Sequence, residues 1–248
     1  MNDKYNSLYD PRQAVNVCVN GQLMLLDLIE KLEPVAQIIQ SNTDGVLIRI
    51  NSMNDLDKVK SICSEWESRT RMVLEYDIFK KVFQKDVNNY IIVDKDGKYK
   101  SKGAYVKKLS KLDYDLPIVN KAIVQYLINN IPVEKTINEC DSLIEFQKIV
   151  KVSNKYLYAK HGNIKLNEKV LRVFASRSLS DEGVFKIKYI PHSEGNVTNY
   201  RVEKIANTPD KCFIVNHDIK GEKVPRKLDK NYYIEIAKER IKDFIGGD

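Results

Sequence analysis

Ala36-Gln-Ile-Ile-Gln-Ser-Asn-Thr-Asp-Gly-Val-Leu-Ile-Arg-Ile50 is the stretch from which the rest of the chain is read. Ile38-Ile39 and Val46 to Ile50 are apolar and mostly β-branched, as half-buried strands require. Between them Asn42-Thr43-Asp44-Gly45 has the composition of a tight turn whose residues tolerate positive φ. The segment therefore predicts a two-stranded hairpin with one carboxylate, Asp44, at a stiff apex. Such a group suits a metal ion or a developing charge. An Asp-Gly turn between apolar strands is also very commonly a turn and nothing more.

Working outward, Asp10-Pro11 marks a helix entry, with Asp as N-cap and Pro at the first helical position. Ala14, Val15, Cys18, Met24, Leu25, Leu28, Ile29 and Leu32 recur at helical spacing up to Glu33, and Pro34 stops the run. A long buried helix leading into the hairpin is expected. After it, Asn54 with Asp57 three residues on reads as a near capping box. Leu56, Val59, Ile62, Cys63 and Trp66 line one face of the helix it opens. Trp66 is expected in the core, since it lies on that apolar stripe. Met72 to Tyr76 reads as a strand. The α-β-β-α-β order implies an α+β unit, an antiparallel sheet with helices packed on it.

A second informative stretch runs from Val87 to Tyr105. Tyr90 to Val93 reads as a strand, Asp96-Gly97 as a hairpin turn, and Lys98, Lys100 and Lys102 fall on alternate positions of the next strand. Alternation puts the three ammonium groups on one face, where they repel unless an anion neutralises them. A phosphate backbone fits that need. The plainer reading is an edge strand kept from aggregating by its lysines.

Together the two stretches resemble family B DNA polymerases. Ser41-Asn42-Thr43-Asp44-Gly45 is similar to the Asp-Thr-Asp-Ser motif of the palm hairpin, whose second Asp binds the catalytic magnesium ions and matches Asp44. Asn42 stands where that motif has its first Asp, and Gly45 where it has Ser. The Tyr of the family's Lys-x-Tyr element matches Tyr90, with Asn88 in place of the Lys. Its Lys-x-x-Gly element matches Lys100, Ser101, Lys102 and Gly103. The resemblance implies Asn42, Thr43 and Asp44 as catalytic residues and Asp44 as a ligand of Mg²⁺ or Mn²⁺. It implies Asn88, Tyr90, Lys100, Lys102 and Gly103 as contacts to primer-template DNA. No Asp stands at the spacing of the motif that supplies the second metal ligand. The Lys-bearing helix for the incoming dNTP and the proofreading exonuclease domain are absent too. The resemblance thus implies only the C-terminal part of a polymerase of bacteriophage or prophage type, needing an N-terminal polymerase half and inactive alone.

Beyond Lys107 the character changes. Lys107-Lys108-Leu-Ser-Lys111 reads as a basic linker, so residues 1–106 are expected to be a palm remainder and 107–248 a mostly helical thumb with some strands. Helical stripes are predicted at Ile118 to Leu127, at Ile137 to Val150, and from Leu228 to Ile245. Lys148, Lys151 and Lys155, with Tyr156 and Tyr158 close by, are groups that a thumb turns toward phosphates. Strand patterns run from Leu171 to Tyr189 and from Cys212 to Val215, with loops marked by Pro191, Gly195, Asn196, Asn207 and Pro209. His161, His192 and His217 stand singly in polar loops and are assigned no site.

Composition bounds these readings. At 248 residues with 43% hydrophobic and 30% charged side chains, the chain supports a substantial core in two subdomains. Its net charge of +7 favours a polyanionic partner. Cys18, Cys63, Cys140 and Cys212 form no CxxC pair, which argues against a zinc site or a disulfide framework and for a reducing cytoplasm, bacterial or phage-infected. No apolar run reaches membrane-spanning length, so no membrane partner is expected. P-loop, dinucleotide-binding and nucleophile-elbow motifs are missing. The alternative that the residues leave open is a basic nucleic-acid-binding protein without catalysis, Asp44 being only a turn residue.

Overall fold

The computed structural model describes residues 9–109, 114–190 and 199–245. It is an α+β protein whose sheets are all antiparallel, with five α-helices among the described residues. Contacts divide the chain into two compact units between Asp77 and Ile78.

In the first unit α1 spans Pro11–Leu32, the hairpin strands β1 and β2 span Gln37–Ser41 and Val46–Arg49, and α2 spans Met53–Thr70. Asp10 caps α1 by accepting the Gln13 N–H at 2.9 Å. The second cap lies at Ser52 rather than Asn54. Its hydroxyl accepts the Asp55 N–H and donates to the Asp55 carboxylate at 2.8 Å, a capping box two residues earlier than the sequence suggests. Leu28, Leu32, Ala36, Val59, Cys63 and Trp66 form the core, with Ile38, Ile48 and Ile50 packed against it. Trp66 donates its indole N–H to the Met24 carbonyl at 3.0 Å.

Two expectations for this unit fail. Helix α1 is not buried along its length: among its residues only Leu28 and Leu32 are buried, while Val15, Val17, Val19, Leu23 and Leu26 are exposed. Residues 72–76 are not a strand. Their β-propensity finds no neighbouring strand to pair with, and the Leu74 N–H goes instead to the Glu67 carboxylate at 2.6 Å. Among the described residues of this unit the sheet is therefore the β1–β2 hairpin alone.

The second unit holds three sheets and three α-helices among its described residues. Strands β3 (Phe79–Asp86), β4 (Asn89–Asp94) and β5 (Tyr99–Lys102) form a meander. Helices α3 (Pro117–Asn129), α4 (Val133–Glu139) and α5 (Lys230–Ile245) follow the expected stripes at α3 and α5. Strands β6 (Lys148–Lys151), β9 (Val170–Ala175) and β12 (Cys212–Ile214) make a sheet of order β12-β9-β6. Strands β7 (Tyr158–His161), β8 (Ile164–Leu166), β10 (Val184–Ile190) and β11 (Asn199–Lys204) make one of order β11-β10-β7-β8.

The three-stranded sheet β12-β9-β6 is buried on both faces. Phe174, Ala175 and Phe213 join the core of α3 and α5, whereas Leu171, Val173 and Cys212 join a second core with Ala159 and Val184 of the four-stranded sheet. Alternation along β12 (Cys212 to one core, Phe213 to the other) and along Val173 and Phe174 of β9 divides these strands between the two cores, while β6 gives Val150 to the second. Ile91, Val93 and Val106 are buried with α3 and α5, so the meander belongs with the helices that follow it. By packing the chain divides between residues 77 and 78.

The stripe from Ile137 to Val150 is not one helix. Helix α4 ends at Glu139, Cys140 is extended, Leu143–Phe146 is a 3-10 turn, and Lys148–Lys151 is β6. Pairing to distant segments decides this: the Leu143 N–H donates to the Glu222 carbonyl, and β6 pairs with β9. Residues 107–248 carry seven strands beside three α-helices among those described, so this part is not mostly helical. His161 lies in β7 rather than a loop, and His217 meets Glu222 at 2.9 Å. His192, Pro191, Gly195, Asn196 and part of the basic linker lie outside the described residues.

Candidate functional site

Asn42, Thr43 and Asp44 form the exposed tip of the β1–β2 hairpin. Ser41 faces Val46 across the ladder, and the Asn42 N–H donates to the Gly45 carbonyl at 2.8 Å, closing a four-residue loop. The Gln40 amide donates to the Asn42 side chain at 2.6 Å. No residue of this loop has positive φ, so the Asn-Asp-Gly composition is not a response to left-handed backbone. The geometry presents one carboxylate to solvent. Among the described residues no three His, Cys, Asp or Glu side chains group as a metal site. Two-metal phosphoryl transfer needs at least two placed carboxylates, and Asp44 supplies one. The donors present do not make a two-metal centre, and no catalytic step is assigned to this chain on its own.

The other sequence-derived candidates come together on the β3–β4–β5 meander of the second unit. Register sets Tyr90 opposite Lys102 and Ile92 opposite Lys100, while Ile91 and Val93 turn the other way into the core. Tyr90 and Lys102 also touch as a ring and a cation, with Nζ 6.0 Å from the ring centroid. Gln84 and Val82 continue that face on β3. The face opposite the core thus holds Tyr90, Lys100 and Lys102 with no carboxylate at the register positions beside them. Lys98 is not part of the row. It lies in the β4–β5 turn, where its N–H donates to the Asp94 carboxylate at 2.8 Å.

Asn88 and Gly103 close one end of this meander. Asp86 accepts the Asn88 N–H at 2.8 Å and the Asn89 amide at 2.9 Å, and these bonds, the Asn89 one foremost, hold its carboxyl below the ordinary range. Gly103 has φ of +102°, and a Cβ there would meet the Asn89 side chain and lie 2.6 Å from the Asn88 carbonyl oxygen. The Asn88 backbone therefore lies directly against the glycine that ends β5.

Sequence reading missed what anchors this end. Asn120 of α3, buried, donates its amide to the Ala104 carbonyl at 3.0 Å and the Lys107 carbonyl at 3.5 Å. Tyr105 is flanked by Lys85 Nζ at 4.5 Å and the Arg240 guanidinium at 4.4 Å, and Lys85 pairs with Asp243 at 2.7 Å. Nothing local in the sequence signals contacts 13 to 158 residues apart. The lysines expected to face phosphates beyond residue 107 fare differently: Lys148 is held by Asp115 at 2.7 Å, and Lys155 lies over the Tyr156 ring at 5.5 Å.

No family model matches the sequence, and no curated protein matches it. Among solved structures, a family B DNA polymerase from the hyperthermophilic archaeon Pyrobaculum calidifontis matches with a TM-score of 0.57 at 13% identity. The match covers 96% of this chain and 30% of that one. The chain therefore spans under a third of the polymerase it resembles in fold. That neighbour is archaeal, and the likeness does not single out bacteriophage enzymes.

Proposed function

We propose that this chain is the C-terminal palm and thumb portion of a DNA-directed DNA polymerase, acting in the cytoplasm together with a separate N-terminal polymerase half. The likeness of fold across nearly the whole chain carries the reading. Residues 1–106 are the palm remainder, spanning the first compact unit and the meander, and 107–248 are the thumb. Tyr90, Lys100 and Lys102 lie against the primer strand of primer-template DNA, Asn88 and Gly103 close against its backbone, and Asp44 contributes one of several ligands for Mg²⁺ or Mn²⁺. The remaining metal ligands and the dNTP contacts come from the other half.

Fluorescence anisotropy of a labelled primer-template across a salt series tests the DNA contact. Each lysine on a phosphate steepens the plot of log affinity against log salt by about 0.9, so Lys100→Ala/Lys102→Ala flattens it by about 2. No affinity at low salt, or an unchanged slope, sinks the assignment. The purified chain alone is expected not to extend a primer, and extension without a second polypeptide would overturn that.

A second reading, a nucleic-acid-binding protein without catalysis, is favoured by the self-contained closure of the Asn42–Gly45 loop, which asks nothing further of Asp44. Titration with Mn²⁺ separates the two. A polymerase part loses its weak metal association in Asp44→Ala, whereas a plain binder titrates identically with and without that carboxylate.

A further inference from the structure

Alternate residues of the four-stranded sheet meet side by side on one face: Tyr189 with Tyr200, Ile187 with Val202 and Tyr158, Phe185 with Lys204 and Lys160, and Lys160 with Lys165. The opposite face carries Ala159 and Val184, both buried in the second core with Leu166 packed against it, so the first set lies on the face away from that core, with Ile187 buried at its centre (3% exposed) and the Tyr189–Tyr200 end open. Much of it is open to solvent although it is aromatic: Tyr200 is 57% exposed, Val202 52% and Tyr189 43%. The two tyrosine rings meet edge-on at 6.4 Å. Lys165 lies 4.8 Å from the Tyr158 ring and Lys160 5.8 Å from the Phe185 ring. Lys204 is paired with Asp210. None of the register-matched positions on this face is Asp or Glu; the nearest strand carboxylate, Glu203, is turned to the other face and held by Tyr156 and Lys186.

We propose that this outward sheet face is a base-stacking surface for single-stranded DNA. Rings interleaved with cations, with no acid at the register-matched positions and Asp210 reaching only Lys204 at one end, match a ligand that offers a π-face and a phosphate at every repeat. A duplex does not, because its bases are stacked on one another and offer groove edges and backbone but no free π-face. An acidic peptide would answer the lysines but leave the rings without partners. The surface itself stands independently of the polymerase reading, and only the choice of DNA over RNA rests on it. A sheet that holds an unpaired strand adds to the duplex contact assigned to the meander, at a different place in the fold.

The test uses the full chain and a fluorescein-labelled oligothymidylate at low salt, with oligouridylate, a blunt hairpin duplex and polyglutamate as comparison ligands. Tyr189→Ala/Tyr200→Ala is expected to weaken oligothymidylate binding about tenfold or more. Tyr189→Phe/Tyr200→Phe, which keeps the rings, retains it, and duplex affinity stays unchanged in both. Lys160→Ala/Lys165→Ala flattens the salt dependence for the single strand by about 1.4, and this reading stands even if the double alanine variant unfolds. Four results overturn the proposal: no oligothymidylate binding, equal binding by the double alanine variant in its folded state, preference for oligouridylate, or competition by polyglutamate as strong as by DNA. Loss of the meander's duplex contact, by contrast, leaves this surface standing.

Discussion

Gly45 at the β1–β2 tip and Gly103 at the end of β5 meet opposite physical demands. Gly45 has no positive φ, and a Cβ there meets nothing within 4 Å. Gly103 combines a left-handed φ with backbone closer than any real Cβ allows. Gly45→Ala is therefore expected to be neutral or to stabilise by up to about 1 kcal/mol, through the entropy of the unfolded chain. Gly103→Ala should destabilise by at least about 1–3 kcal/mol from backbone strain alone. Chemical denaturation of the two variants checks the contrast. Equal midpoints would mean that the end of the meander is not built as described. Asp44 is exposed at the hairpin tip and belongs to no group of three metal-binding side chains among the described residues, so the metal role proposed for it requires carboxylates from elsewhere.

At the scale of elements, the central sheet β12-β9-β6 and helix α5 depend on one another. Tyr233 of α5 is fully buried, edge-on to Phe146 at 5.0 Å, and its hydroxyl accepts the Ala175 N–H of β9 at 3.1 Å. Burial drives its phenol far above the ordinary range, so it stays neutral. Tyr233→Phe keeps the ring packing but leaves that N–H without its acceptor. A buried donor without a partner costs about 1–3 kcal/mol, and the variant should lose that much in a urea titration. An unchanged midpoint would place the α5 contribution entirely in its apolar stripe. Helix α3 shows the same economy, with Ile118, Val119, Ala122 and Ile123 at zero exposure and the polar Asn120 spent on holding the turn after Gly103.

For the molecule as a whole, residues 71–78 join two units that each have their own core. Most of this segment is exposed, Val73 to 87%, and it has no secondary structure. Limited trypsin or chymotrypsin digestion is expected to cut first near Arg71 or Tyr76 and to leave a core beginning close to Ile78. First cleavage inside the meander would contradict the division. The second unit also has a defined alkaline limit. Burial pushes the Cys212 thiol from 9.0 to about 12, and burial followed by the Glu145 hydrogen bond pushes the Tyr114 phenol from 10.0 to about 12. Both groups are neutral when protonated. The unfolded chain releases these protons first, so the stability these two groups contribute is intact below about pH 9 and is lost as the pH climbs toward 12. Thermal melts at stepped pH should show a flat region below about pH 9 and a decline above it.

The sequence by itself determined what rests on neighbours in the chain. The hairpin at 37–49, the entry to α1 at Asp10-Pro11, the stripes of α2, α3 and α5, the burial of Trp66 and the alternation that sets Lys100 and Lys102 on one face all follow from local period and capping chemistry. Only the tertiary structure decided the rest. Residues 72–76 found no strand to pair with, 143–151 were drawn into pairing with β9 and with the segment around Glu222, and the meander joined the second unit because Ile91 and Val93 bury against α3 and α5. The outward row of Tyr158, Tyr189 and Tyr200 is likewise a product of register between strands more than ten residues apart. Propensity is summed over a few residues, whereas pairing and burial are settled between segments whose separation no local pattern records.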